Sequence, residues 1–124
     1  MDGAFANCTS LTGINNNNLF NHDGKIFANM FNNCTNLTSV DESVKLPSTM
    51  SNCQGMFANC INLNSINLNT FIPSEFPSGS INISNMFNGC TNITGEFPIK
   101  RFYPSGIQLE ATDCVKGCTR IDKL

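Results

Sequence analysis

Seven cysteines, one histidine and one adjacent pair of carboxylates are the side chains of this 124-residue chain whose types most readily do chemistry. Thiols can pair as disulfides, ligate zinc or, once ionised, attack an electrophile. Five of the seven return at nearly one interval, as Cys8, Cys34, Cys60, Cys90 and Cys118, the first two steps equal and the last two slightly longer. A zinc site wants ligands paired at short spacing, Cys-x-x-Cys twice or with a histidine pair. Here His22 stands alone between Asn21 and Asp23, in a polar stretch that reads as a solvated loop. Hydrolysis wants a nucleophile with base and orienter, or two carboxylates facing one cleft. Asp41 and Glu42 are consecutive, and consecutive side chains on an extended segment point to opposite sides. The glycines are scattered along the repeats, so no phosphate-cradling loop is present. The residues therefore predict no enzyme, no cofactor and no metal site.

What the cysteines do share is company. The stretches GAFANCTSLTGI, NMFNNCTNLTSV, GMFANCINLNSI, NMFNGCTNITGE and DCVKGCTRID hold phase at once across Phe, Cys and the following Leu or Ile. A fixed period of this length is the mark of a linear core, in which each coil covers the apolar face of its neighbour. One repeat domain over 1–124 is expected, with four to five coils at about 1–26, 27–52, 53–82, 83–110 and 111–124. Because the Cys-x-x-Leu phase already runs at Cys8 and still runs at Cys118, little room is left for polar caps, and membership of a longer array is expected.

Composition narrows the partners. Only 13% of residues are charged and the net charge is -2, so there is no basic stripe for nucleic acid. No apolar run approaches the ~20 residues of a membrane span. The opening Met-Asp-Gly lacks the basic and apolar regions of a signal peptide. Asn is the most abundant residue type, and Ser with Thr are together about as numerous, a polar surface suited to turns and side-chain ladders rather than helices.

Within one coil, Leu63, Ile66 and Leu68 follow Cys60 in the rhythm of a short strand, matched by Leu11 and Ile14, Leu37 and Val40, and Ile93, until Asn16, Glu42 and Pro98 break it. A second short alternating segment recurs at Lys25–Phe27, Ser80–Ser84 and Gly106–Glu110, so two strands per coil are expected. Met-Phe-x-x-Cys is too short for a full helix and reads as a single helical turn pointing Phe inward, with Gly3, Gly55 and Asn85 as turn residues before it. Stacked coils would align Phe5, Phe31, Phe57 and Phe87 as a spine, flanked by Cys8, Cys34, Cys60 and Cys90 and by Leu11, Leu37, Leu63 and Ile93. Parallel side chains oppose disulfide geometry, which favours free buried thiols at the four ladder cysteines. Cys53 falls outside the ladder, while Cys114 and Cys118, close together near the terminus, could bridge locally. Sequons occur at Asn7, Asn33, Asn36, Asn82 and Asn92, several of them expected by chance in so Asn-rich a chain; Asn7 and Asn33 precede ladder cysteines and read foremost as turn residues bonding backbone of the next coil.

These units resemble BspA-like leucine-rich repeats, whose hallmark is an Ala-Phe or Met-Phe pair, two spacers, Cys, two more and Leu. The resemblance runs from Gly3 through Ile121, with the last unit departing from it at Cys114 and Val115. It implies a mainly β repeat solenoid of short parallel strands, turns and single helical turns. It implies further a surface-exposed or secreted protein that acts by binding or adhesion to host, matrix or cell-surface proteins. Small uncharged strand positions (Thr12, Thr38, Ser39, Asn64, Ser65, Asn67) would form the flat contact surface. Phe71, Phe76, Phe102 and Tyr103 are the candidate anchors, unless such rings simply cover the spine from the side, as is at least equally expected of Phe71 and Phe97. Two other readings stand beside it: a subunit stacking end to end into a fibre, and an intracellular scaffold.

Overall fold

Asn, Gly and Asp recur at two points of every repeat because the backbone there is left-handed. In the second unit Asn29 has φ 56° and Asn33 φ 62°; Gly3, Gly55, Asn85 and Asp113 share the first position, and Asn7, Asn59, Gly89 and Gly117 the second. Only Gly, and at lower cost than other residues Asn and Asp, visit this region routinely. The computed structural model describes residues 2–16, 19–20, 24–76, 79–103 and 106–122. His22 with Asn21 and Asp23, Pro77, and the final Lys123 and Leu124 lie outside the described residues.

Two left-handed residues so close together cannot belong to a helical turn, and the expected turn of helix at Met-Phe-x-x-Cys does not form. The segment is a run of reverse turns: Met30 N–H donates to Phe27 O (3.3 Å), Asn32 N–H to Asn29 O (3.1 Å) and Cys34 N–H to Phe31 O (3.1 Å). The alternate amides point sideways. Those of Phe27, Asn29, Phe31 and Asn33 donate to the carbonyls of Asn52, Gln54, Met56 and Ala58 at 2.7–2.9 Å, one unit on. Half of the backbone donors therefore close turns and half join units, which satisfies the polar groups of a segment that packs inside.

Two lines of parallel pairing flank these turns. On the first, β1 (Gly13–Ile14) pairs with β2 (Ser39–Val40), Ser39 bridges to Ser65, and β4 (Gly95–Glu96) pairs with β6 (Ile121–Asp122). On the second, Ile26 lies opposite Asn52 and Asn52 opposite Asn82, and β3 (Gly79–Asn82) pairs with β5 (Ile107–Glu110) through Asn82 opposite Glu110. The last junction is irregular: Gly95 faces Ile121, whereas Cys90 answers to Cys118, so the step along the chain is shorter on the strand than in the turn and the register slips between them.

Helical structure lies in the variable stretches. Asn67 caps α1 (Leu68–Phe71) by accepting from Asn69 N–H at 3.0 Å, and Pro73 follows its end. Pro98 precedes a 3₁₀ turn at Ile99–Phe102. Arg101 ties the two together, its guanidinium donating to the carbonyls of Asn69 (2.9 Å) and Ile72 (2.8 Å) and to the side-chain oxygen of Asn69. It thereby occupies carbonyls that the end of a short helix leaves without an internal donor.

The core is one contiguous cluster. Rings of Phe5, Phe31, Phe57 and Phe87 stack face to face with centroids 5.4, 5.3 and 5.4 Å apart and planes within 9°. Leu37, Leu63 and Ile93 are fully buried beneath them, while Phe5 and Leu11 are half-buried. Val44, Leu46, Leu68 and Phe71 close the side.

Candidate functional site

The residues with the most evident chemistry are occupied in joining units. Cys34 Sγ donates to the Phe5 carbonyl at 3.1 Å, Cys60 to Phe31 at 3.1 Å, Cys90 to Phe57 at 3.0 Å and Cys118 to Phe87 at 3.0 Å. Each of these carbonyls also receives the amide of the cysteine in its own unit. A small side chain with a weak donor meets that geometry in a site too tight for a larger residue. All seven cysteines are free thiols, so the local Cys114–Cys118 bridge is not formed. Cys118 belongs to the ladder, Cys114 fills the place that Met30, Met56 and Met86 hold in other units, and Cys53 is fully buried with Sγ 3.8 Å from Met50 Sδ. A second ladder runs outside: the side-chain amides of Asn36, Asn62 and Asn92 donate to the carbonyls of Thr9, Thr35 and Ile61 at 2.6, 2.8 and 2.8 Å. The sequons at Asn36 and Asn92 are thus held against the preceding unit's backbone.

Burial pushes the Cys34 and Cys118 thiols from 9.0 up to about 11 and Cys114 up to about 12, and raises Cys53 as well. A group whose folded pKa is raised holds its proton more tightly folded than unfolded. Its contribution is complete below the ordinary thiol value and is lost as pH climbs through the folded value. The melting temperature should therefore be level up to about pH 8.5 and decline progressively above about pH 9. At neutral pH a thiol reagent should label half-exposed Cys8 first and reach all seven only after denaturation. Ready labelling of the other six in the native state would contradict their burial.

The carboxylate pair serves two separate tasks. Asp41 accepts from Ser43 N–H (2.9 Å) and Ser43 Oγ (2.7 Å), which holds its carboxyl below the usual range. Glu42 accepts from Asn67 Nδ2 at 3.4 Å. Among the described residues no group of three His, Cys, Asp or Glu is placed to hold a metal ion.

Along the first pairing line lies an open groove of about 580 Å³, lined among others by Val40, Glu42, Ser65, Asn67, Thr94, Glu96 and Pro98. Thr12, Thr38, Asn64 and Ser65 are exposed along this line, and Ser39 and Asn67 differ in degree: Ser39 is half-buried, Asn67 lies open at the groove edge. Glu42, Glu96 and Pro98 were missed as lining residues, although Glu42 and Pro98 mark the points where the apolar rhythm breaks.

The aromatic anchors divide. Phe71 and Phe102 are each 1% exposed and offer no ring to a partner, which corrects the anchor expectation for Phe102 and, for Phe71 as for equally buried Phe97, leaves the other reading, a ring that covers the spine from the side. Phe71 packs edge-on against Phe57 (5.6 Å), and Phe102 lies against Phe97 (6.2 Å), because α1 and the 3₁₀ turn fold back over the spine. Phe76 is half-buried and stacked on Phe102 at 4.6 Å. Tyr103 is exposed at 66%, joined among large apolar side chains by Ile26 and Ile61. Comparison of the chain with protein-family models, with curated proteins and with solved structures finds no match.

Proposed function

We propose that the chain is a BspA-like repeat solenoid that acts without catalysis, binding a protein partner at a cell surface or outside the cell. The observation that supports this reading is the groove lined by Ser65, Asn67, Thr94 and Glu96, open and polar. Among its donors and acceptors Ser65 and Thr94 are small side chains, which lose little conformational freedom on contact. The thiols that could have served as nucleophiles are held as donors to Phe carbonyls. No described helix is long and apolar enough to cross a membrane. One observation favours an intracellular scaffold instead: none of the seven thiols is paired.

Binding to a panel of immobilised matrix and cell-surface proteins tests the leading reading. Saturable binding is expected to at least one of them. Thr94→Arg, in the groove, should weaken it by about tenfold or more, as an obstructed contact of about 1.4 kcal/mol would. Gln108→Arg, on the other pairing line, should not. Equal loss with both variants, or no binding above that of an unrelated protein, would refute the assignment.

A further inference from the structure

On the first pairing line the stack has an internal break. The first unit pairs with the second through β1 and β2, the second with the third through Ser39 and Ser65, and the fourth with the fifth through β4 and β6. Ser65 and Gly95 stand at the same place past their ladder cysteines, yet among the described residues no pairing joins the third unit to the fourth on this line. Elsewhere these two units are in register: Asn52 bridges to Asn82, Phe57 N–H donates to Met86 O at 2.8 Å, and Asn92 Nδ2 donates to Ile61 O at 2.8 Å. Gly95 bends the fourth strand out of line, its φ of 100° lying outside the range of an extended chain. A Cβ added at Gly13, in the same column, would meet Ser39 Oγ at 3.0 Å, whereas one at Gly95 would meet nothing within 4 Å.

The break leaves a strand edge without its partner. Ser65 turns its backbone to the second unit, its amide donating to Thr38 O at 3.0 Å and its carbonyl accepting from Val40 N–H at 2.8 Å. Along an extended chain successive residues direct these groups to alternate sides, so those of Ile66 face the fourth unit. Neither has a hydrogen-bond partner. Residues 65–69 of the third unit and 94–96 of the fourth all line the open groove, so this edge is accessible. Glu42 and Glu96 are exposed there, and the lining includes no lysine, arginine or histidine. Arg101, which reaches Asn69, is committed to that residue and to Ile72.

We propose that an extended segment of a partner protein enters this groove as an added strand, pairing its backbone with Ile66 and setting lysine or arginine side chains against Glu42 and Glu96. In this mode main-chain hydrogen bonds supply affinity and side chains supply specificity. The inference deepens the binding reading of the same groove and rests on it, naming the conformation and the charge of what is bound.

The probe is an array of octapeptides with lysine at alternate positions and the remaining positions varied, set beside the same array with glutamate for lysine. The full 124-residue chain should bind members of the lysine array at least about tenfold more tightly than their glutamate counterparts. Glu42→Gln and Glu96→Gln should each weaken the tightest lysine peptide by about threefold or more, with the melting temperature unchanged. Saturation with that peptide should slow hydrogen exchange at the Ile66 amide by about tenfold or more, which charge attraction alone does not do. Equal binding to the two arrays, binding to neither, or an Ile66 amide whose exchange is unchanged at saturation would overturn the inference. If one of those results came with Thr94→Arg still weakening the binding of a matrix or cell-surface protein, only the added strand would fall and the groove would stand; loss of both would remove the binding reading as well.

Discussion

Replacing Phe57 by alanine should cost about 3–5 kcal/mol, near the top of the range for a buried ring. The ring is fully buried, lies between Phe31 and Phe87 at 5.3 and 5.4 Å, and receives Phe71 edge-on at 5.6 Å. Its neighbours cannot close the gap, because each is fixed by amide bonds to the next unit: Phe31 N–H to Met56 O, Phe57 N–H to Met86 O and Phe87 N–H to Cys114 O, each 2.8 Å. At about 4 °C per kcal/mol for a chain of this size, thermal unfolding should fall by about 12–20 °C. Phe5→Ala supplies the comparison. That ring is half-buried with one stacking neighbour, so its loss should be clearly smaller. Equal effects at the two positions, or a Phe57→Ala protein that melts with its parent, would remove the ring stack as the main element of the core.

The repeating Phe, Cys and Leu made the columns legible, because a residue that must pack on its own counterpart one unit away has little freedom to vary. Ile26, Asn52, Asn82 and Glu110, the last residues of the four units counted from the sequence, lie opposite one another along the second pairing line. The local conformation was harder to read. Met-Phe-x-x-Cys has helix-like spacing, and the reason it is not helical resides in amides that bond to the next unit, a whole repeat away in sequence, where no local propensity reaches. Phe102 was misplaced, and Phe71 left open, for a related reason. They lie in stretches outside the repeat, so nothing in the period tells whether such a ring faces solvent or folds back, and the contact of Arg101 with Asn69 and Ile72 that joins the two stretches spans about thirty residues of sequence. The groove was the least legible feature. Glu42 and Glu96 come from different units, and only pairing in space brings them to line one groove.

Gly55→Val should be the second most damaging substitution, at about 2–4 kcal/mol, even though it adds apolar volume at a buried position. Two effects combine. The backbone at Gly55 has φ +63°, a region where a β-branched residue is strained by contact of its Cβ with the carbonyl. A Cβ built there would also fall 2.4 Å from Asn29 Oδ1, so Asn29 must swing away and surrender the bond it accepts from Asn32 Nδ2 at 3.2 Å. Gly55→Asn separates the two effects. Asn29 and Asn85 occupy the same column at φ 56° and 58°, so asparagine relieves the backbone strain while keeping the close approach. The ordering expected in urea or thermal unfolding is parent, then Asn, then Val. Had the segment been a helical turn, valine would cost no more there than asparagine, since their helix propensities are similar. A Val variant as stable as the Asn variant would therefore refute the left-handed turn, and with it the alternation of turn-closing and unit-joining amides on which the stacking of every unit depends.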